Sequence, residues 1–143
     1  MKLTRTMRIG RMFLLTLFAA GVVFAGAQDV KPAPLAKADA ILGEWVLTID
    51  AGGEYYYVSM TLALAEGKLT GKISESSGFF TDIPLTDISW EGTTLKSKAI
   101  APTPPDGAER LLETELKLAE GKWAGMMNIP DLGMAAAVTG VRK

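Results

Sequence analysis

The chain has 143 residues, 15 basic and 16 acidic, with no cysteine and no histidine. Those two absences exclude Ser-His-Asp and Cys-His nucleophiles, thiolate and imidazole metal sites, and a histidine general base. With a net charge of −1 and no basic run in the body of the chain, it is a poor match for nucleic acid or anionic membrane surfaces.

The first element is a leader. Lys2, Arg5, Arg8 and Arg11 make a basic start, residues 12–24 are apolar, and Ala25-Gly26-Ala27 gives the small-x-small pattern of a cleavage site. This predicts a signal peptide over residues 1–27, cut before Gln28. The apolar run is shorter than the ~20 residues a membrane span needs; an uncleaved anchor or a buried helix is the alternative. A lipoprotein is excluded for want of a cysteine, and Arg5 and Arg8 are not adjacent, which argues against a twin-arginine signal. The expected location is periplasmic or secreted, with no transmembrane segment after cleavage. All four leader charges are basic, so the mature chain carries about −5. It has the size of one domain, and its stability must come from a hydrophobic core because no disulfide can form.

Residues 28–38 read as a tether, with Pro32 and Pro34 among small residues. The domain proper is expected over 39–143. Asp39 is placed to cap a single helical turn over 40–42, ended by Gly43. Trp45, Leu47 and Ile49 then alternate with Glu44, Val46 and Thr48, a first strand. Tyr56, Val58, Met60, Leu62 and Leu64 share one face of a long second strand. Leu69, Gly71 and Ile73 alternate in a third. Residues 79–90 hold one or two strands around Pro84, which marks an edge, a bulge or a turn. Residues 94–101 form another strand, and Pro102, Pro104, Pro105, Asp106 and Gly107 a stiff loop. Leu112, Thr114, Leu116 and Leu118 define the next strand, and residues 123–129 and 135–142 the last two.

An internal repeat organises this pattern. Residues 62–71 and 116–125 agree at seven of ten positions, each an apolar alternation, then Ala-Glu-Gly-Lys, then a second alternation. Both read as β-hairpins with Gly67 and Gly121 in the left-handed turn position; Trp90-Glu91-Gly92 resembles a third such turn. Short strands joined by tight hairpins predict an all-β fold, an antiparallel up-and-down barrel of about eight strands, since closure removes exposed edges. A two-sheet sandwich is the alternative.

Gly43-Glu44-Trp45 opens the first strand after the helical turn, and Arg142 ends the last, in Thr139-Gly140-Val141-Arg142. In these features the chain resembles the calycin superfamily, and in particular small bacterial lipocalin-like domains of exported proteins. The resemblance implies that Gly43 and Trp45 lie across one closed barrel end with Arg142 packed over the indole. It also implies a ligand-binding interior. The domain is shorter than a typical lipocalin and lacks that family's other internal motifs.

On this basis the expected function is a non-enzymatic, exported, monomeric barrel that binds a small apolar molecule, with no metal and no cofactor. Candidate ligand-binding residues in the interior and mouth are Tyr56, Val58, Met60, Phe79, Trp90 and Met127, with Tyr55, Tyr57 and Phe80 beside them. A container would show an apolar pocket of about 300 Å3 or more, opening opposite Trp45. Gly71, Gly125 and Ala135-Ala136-Ala137 either open that space or let strands approach closely. The alternative is a protein-interaction module of the cell envelope, such as a calycin-like protease inhibitor, with residues 31–38 as an inserting arm. Those inhibitors usually carry a disulfide, which this chain cannot form. Asp82, Asp87, Glu113 and Glu115 are the acids available for a carboxylate pair. Glu113 and Glu115 fall on the face opposite Leu112 and Leu116, a solvated outer face. Met126, Met127 and Met134 are packing residues rather than a thioether metal site.

Overall fold

The structure is a computed structural model that describes residues 38–143. The expected signal peptide and all of the expected tether except Ala38 lie outside the described residues. Ala38 belongs to the domain: it is buried and starts a 3-10 turn, Ala38–Ala40. Asp39 therefore lies inside that turn rather than capping it.

Nine strands follow: β1 (Gly43–Asp50), β2 (Tyr55–Ala65), β3 (Lys68–Glu75), β4 (Ile83–Pro84), β5 (Thr86–Trp90), β6 (Thr94–Thr103), β7 (Ala108–Ala119), β8 (Lys122–Ile129) and β9 (Met134–Arg142). They form one antiparallel sheet in the order β4-β3-β2-β1-β9-β8-β7-β6-β5. Each strand pairs with its sequence neighbour except across the β4–β5 break, and β9 returns to pair with β1, Trp45 opposite Arg142. The sheet is a nearly closed barrel. Its seam falls within residues 83–90, one strand position split in two at Leu85. Its first half pairs with β3 and its second with β6. Proline cannot donate to a ladder, which suits Pro84 to this edge. The Leu85 amide still reaches the Gly71 carbonyl at 2.8 Å, so the gap is narrow. Counted by position around the barrel, the strands number eight.

The two copies of the repeat are matching hairpins. Ala65 pairs with Lys68 and Ala119 with Lys122, leaving two-residue loops. Both loop residues have positive φ: Glu66 52° and Gly67 74°, Glu120 52° and Gly121 72°. This is the two-positive-φ hairpin turn whose twist matches the strands it joins.

Inward residues follow the period of two. Trp45, Leu47, Val58, Met60, Leu62, Ile73, Leu95, Leu116, Trp123 and Val138 are all buried. Trp123 sits edge-on between Trp45 and Trp90, with ring centroids 5.3 and 5.9 Å away. This indole cluster fills one half of the barrel. Small residues are needed to fit it. A Cβ on Gly140 would lie 2.6 Å from Leu47, and one on Gly125 would lie 1.9 Å from the Glu115 carbonyl oxygen. Gly71 and Gly125 thus permit close approach rather than opening space, which decides between the two expectations for them.

Candidate functional site

The strand directions give the barrel two different ends. One carries the start of β1, the end of β9 and the three tight hairpin turns. There Trp45 is 1 % exposed, and its indole N–H donates to the Ile41 carbonyl at 2.8 Å. The Arg142 guanidinium lies 4.4 Å over the Trp45 ring. Its Nη1 and Nη2 donate to the Leu42 and Ala40 carbonyls, both at 2.7 Å. One arginine therefore ties β9 to the 3-10 turn and covers the core tryptophan. Gly43 has φ of 110°, and a Cβ there would lie 3.1 Å from Arg142 Nη1, so backbone and space both favour glycine. This end is sealed.

The opposite end carries the longer loops, residues 51–54, 76–82, 104–107 and 130–133. Among them a cavity of about 150 Å3 opens into the barrel. Ile49, Val58, Leu112, Met127 and Ala136 form its inner walls, one residue from each of five strands. Tyr56, Phe79, Phe80, Pro102, Pro104, Ile129 and Met134 surround the mouth. The barrel is therefore half filled and half open. The volume is about half of what was expected of a container.

Four of the six candidate ligand residues border this cavity: Tyr56, Val58, Phe79 and Met127. Met60 and Trp90 do not. They are buried in the filled half, because strand parity fixes which way a side chain points but not its level along the barrel axis. Tyr55 and Tyr57 point outward and are 58 % and 51 % exposed. Of the small-residue run, only Ala136 lines the space.

Sequence reasoning missed Glu75. It continues the inward register of Leu69, Gly71 and Ile73, which is the signal that could have found it. Its carboxylate borders the cavity mouth and organises the loop that follows. Oε2 accepts from the Ser77 amide at 2.8 Å, from the Phe79 amide at 3.3 Å, and from the Ser77 hydroxyl. Oε1 accepts only a long 3.4 Å bond from the Ser76 hydroxyl. Burial works to raise the Glu75 pKa, but these donors outweigh it and hold the group below the usual carboxylate range. Phe79 and Phe80 are thereby presented at the mouth. Beside them the Tyr56 hydroxyl donates to Glu54 at 2.8 Å, which raises the phenol's pKa. Thr103, also at the mouth, accepts from Arg110 Nη1 at 2.8 Å, and Arg110 is held by Asp106 through two 2.7 Å bonds.

A second depression, about 220 Å3, lies on the outer wall among Asp87, Lys96, Lys98, Glu113 and Glu115. Lys98 reaches Asp87 and Glu113 at 3.6 Å, and Lys96 reaches Glu115 at 3.7 Å. Exposed pairs of this kind contribute about 0–1 kcal/mol, and the groove's three acids outnumber its two lysines by one. Among the described residues no group of three or more Asp or Glu side chains converges as a metal site.

Fold and site define a small antiparallel barrel with one sealed end and one open, apolar end. No protein-family model matches the chain, and no curated protein matches it in sequence.

Proposed function

We propose that the protein is an exported, non-enzymatic barrel that binds a small apolar molecule in its open end. The observation that carries this reading is the cavity of about 150 Å3 at the end opposite Trp45, walled mainly by aliphatic and aromatic side chains, with Glu75, Ser77 and Thr103 at its mouth. Apolar cavities of about 150 Å3 stay dry and take up a ligand as small as benzene. The size favours a single ring or a short branched chain over a long acyl chain. Export is supported by the leader pattern of residues 1–27. A non-catalytic role is supported by the lack of histidine and cysteine and by Glu75, whose better-bonded oxygen is committed to its own loop.

The test is a fluorescence titration of the mature protein with indole, toluene and dodecanoate. Saturable binding of the two small rings, weakened tenfold or more by Ala136→Phe, is the expected result. No saturable binding of either would overturn the reading. A second reading, an interaction module of the cell envelope, draws on the exposed aromatics Tyr55, Tyr57 and Phe79 around the same end. It predicts that Tyr55→Ser with Tyr57→Ser abolishes partner capture while ring binding is absent throughout.

A further inference from the structure

We propose that the ligand of this cavity is a small hydrophobic cation: an ammonium head on a single-ring or short branched body. The proposal rests on the reading of the cavity as a binding site and adds the charge of what enters it. The walls settle only size and apolarity; charge is decided at the rim.

Charge is unevenly divided between the two ends. At the sealed end Lys68, Lys117, Lys122, Arg142 and Lys143 offset the acids of the turns. At the open end Asp50, Glu54 and Glu75 have no cationic partner among the described residues. The cation of that end, Arg110, is already engaged by Asp106. Lys72 and Lys98, farther along the wall, are held by Asp82 at 2.7 Å and by Asp87 and Glu113 at 3.6 Å.

Two of the unpaired acids touch the cavity's own lining. Glu75 faces inward at the mouth, and its Oε1 retains acceptor capacity because its single bond is long. Glu54 accepts from the hydroxyl of the lining residue Tyr56. An ammonium at the mouth would meet these carboxylates and the faces of Tyr56 and Phe79, all of which attract cations. A carboxylate at the same place would meet uncompensated like charge. A cleft rimmed by one sign also raises the local concentration of the opposite sign before contact.

The test compares three probes with one ring and three heads: 2-phenylethylammonium, 2-phenylethanol and 3-phenylpropanoate. Affinities are measured by calorimetry at pH 7 with the mature protein. The expected order is ammonium over alcohol by about fivefold or more at low salt, and alcohol over carboxylate. At 1 M salt, where screening acts within about 3 Å, the three should converge. Glu54→Gln keeps an acceptor for the Tyr56 hydroxyl and removes the charge, so it should narrow the ammonium-to-alcohol ratio. Glu75→Gln should narrow it further. Alcohol bound as tightly as ammonium, or a ratio unmoved by salt and by Glu54→Gln, would overturn the charge assignment while leaving the cavity reading in place. No saturation by any of the three would overturn both.

Discussion

Arg142 shows how much one side chain can hold. It covers the Trp45 ring and donates to the carbonyls of Ala40, in the 3-10 turn, and Leu42, just before β1, so it joins the last strand to the start of the first across the barrel seal. Truncating Trp45 to alanine should cost about 3–5 kcal/mol, because a large buried ring leaves a hole that the indole cluster cannot close. Arg142→Ala should cost about 2 kcal/mol through lost charged hydrogen bonds and ring contact. Urea denaturation of both variants checks these values, and an Arg142→Ala midpoint equal to the parent's would contradict the seal. Gly125 is a sharper case: alanine would place a methyl 1.9 Å from the Glu115 carbonyl oxygen, so Gly125→Ala should lose about 3 kcal/mol. Glu66 is the opposite. Its φ of 52° suits asparagine better, and Glu66→Asn should raise stability by about 0.5 kcal/mol in the same assay.

Among the elements, the loop of residues 76–82 depends most on ionisation. The Glu75 carboxylate gathers the Ser77 and Phe79 amides, and its pKa is lower than in the unfolded chain. A depressed pKa adds stability above the unfolded value, and that stability is lost as pH falls through the folded one. Below Glu75's ordinary value of 4.5, the loop should loosen progressively. Amide exchange at Ser77 and Phe79 should quicken on acidification before that of β6 and β7, and Glu75→Gln should flatten the dependence. Asp106 follows the same direction, held low mainly by Arg110 and by the Ala108 amide. The hairpins were legible in the sequence because turn chemistry and alternation are local: Glu-Gly between two apolar runs leaves few alternatives. Residues 83–90 were legible only as one or two strands. Pro84 announces an edge, but which neighbour each half pairs with depends on closing the whole barrel. The site was half legible for a related reason. Period two gave the inward faces of Val58 and Met127, but not the level at which Met60 and Trp90 lie. Glu75 was passed over because a charge on an inward register position conflicts with a core reading.

At the scale of the molecule, filling and openness have one cause. The three tryptophans crowd the sealed half. The open half is lined by smaller side chains such as Ala136 and Val58, with Phe79 and Phe80 reaching over from a loop. Longer loops at that end replace the tight hairpins that close the other. The barrel offers built-in reporters of whether this space is used. Met127 and Met134 border the cavity, Met60 is buried in the filled half, and Met126 points outward, 42 % exposed. Methyl NMR of the mature protein titrated with 2-phenylethanol therefore tests the binding claim most directly. The account predicts saturable shifts at Met127 and Met134, with Met60 and Met126 nearly still. Shifts at Met126 equal to those at Met127, or no saturable shift at any methionine, would contradict it.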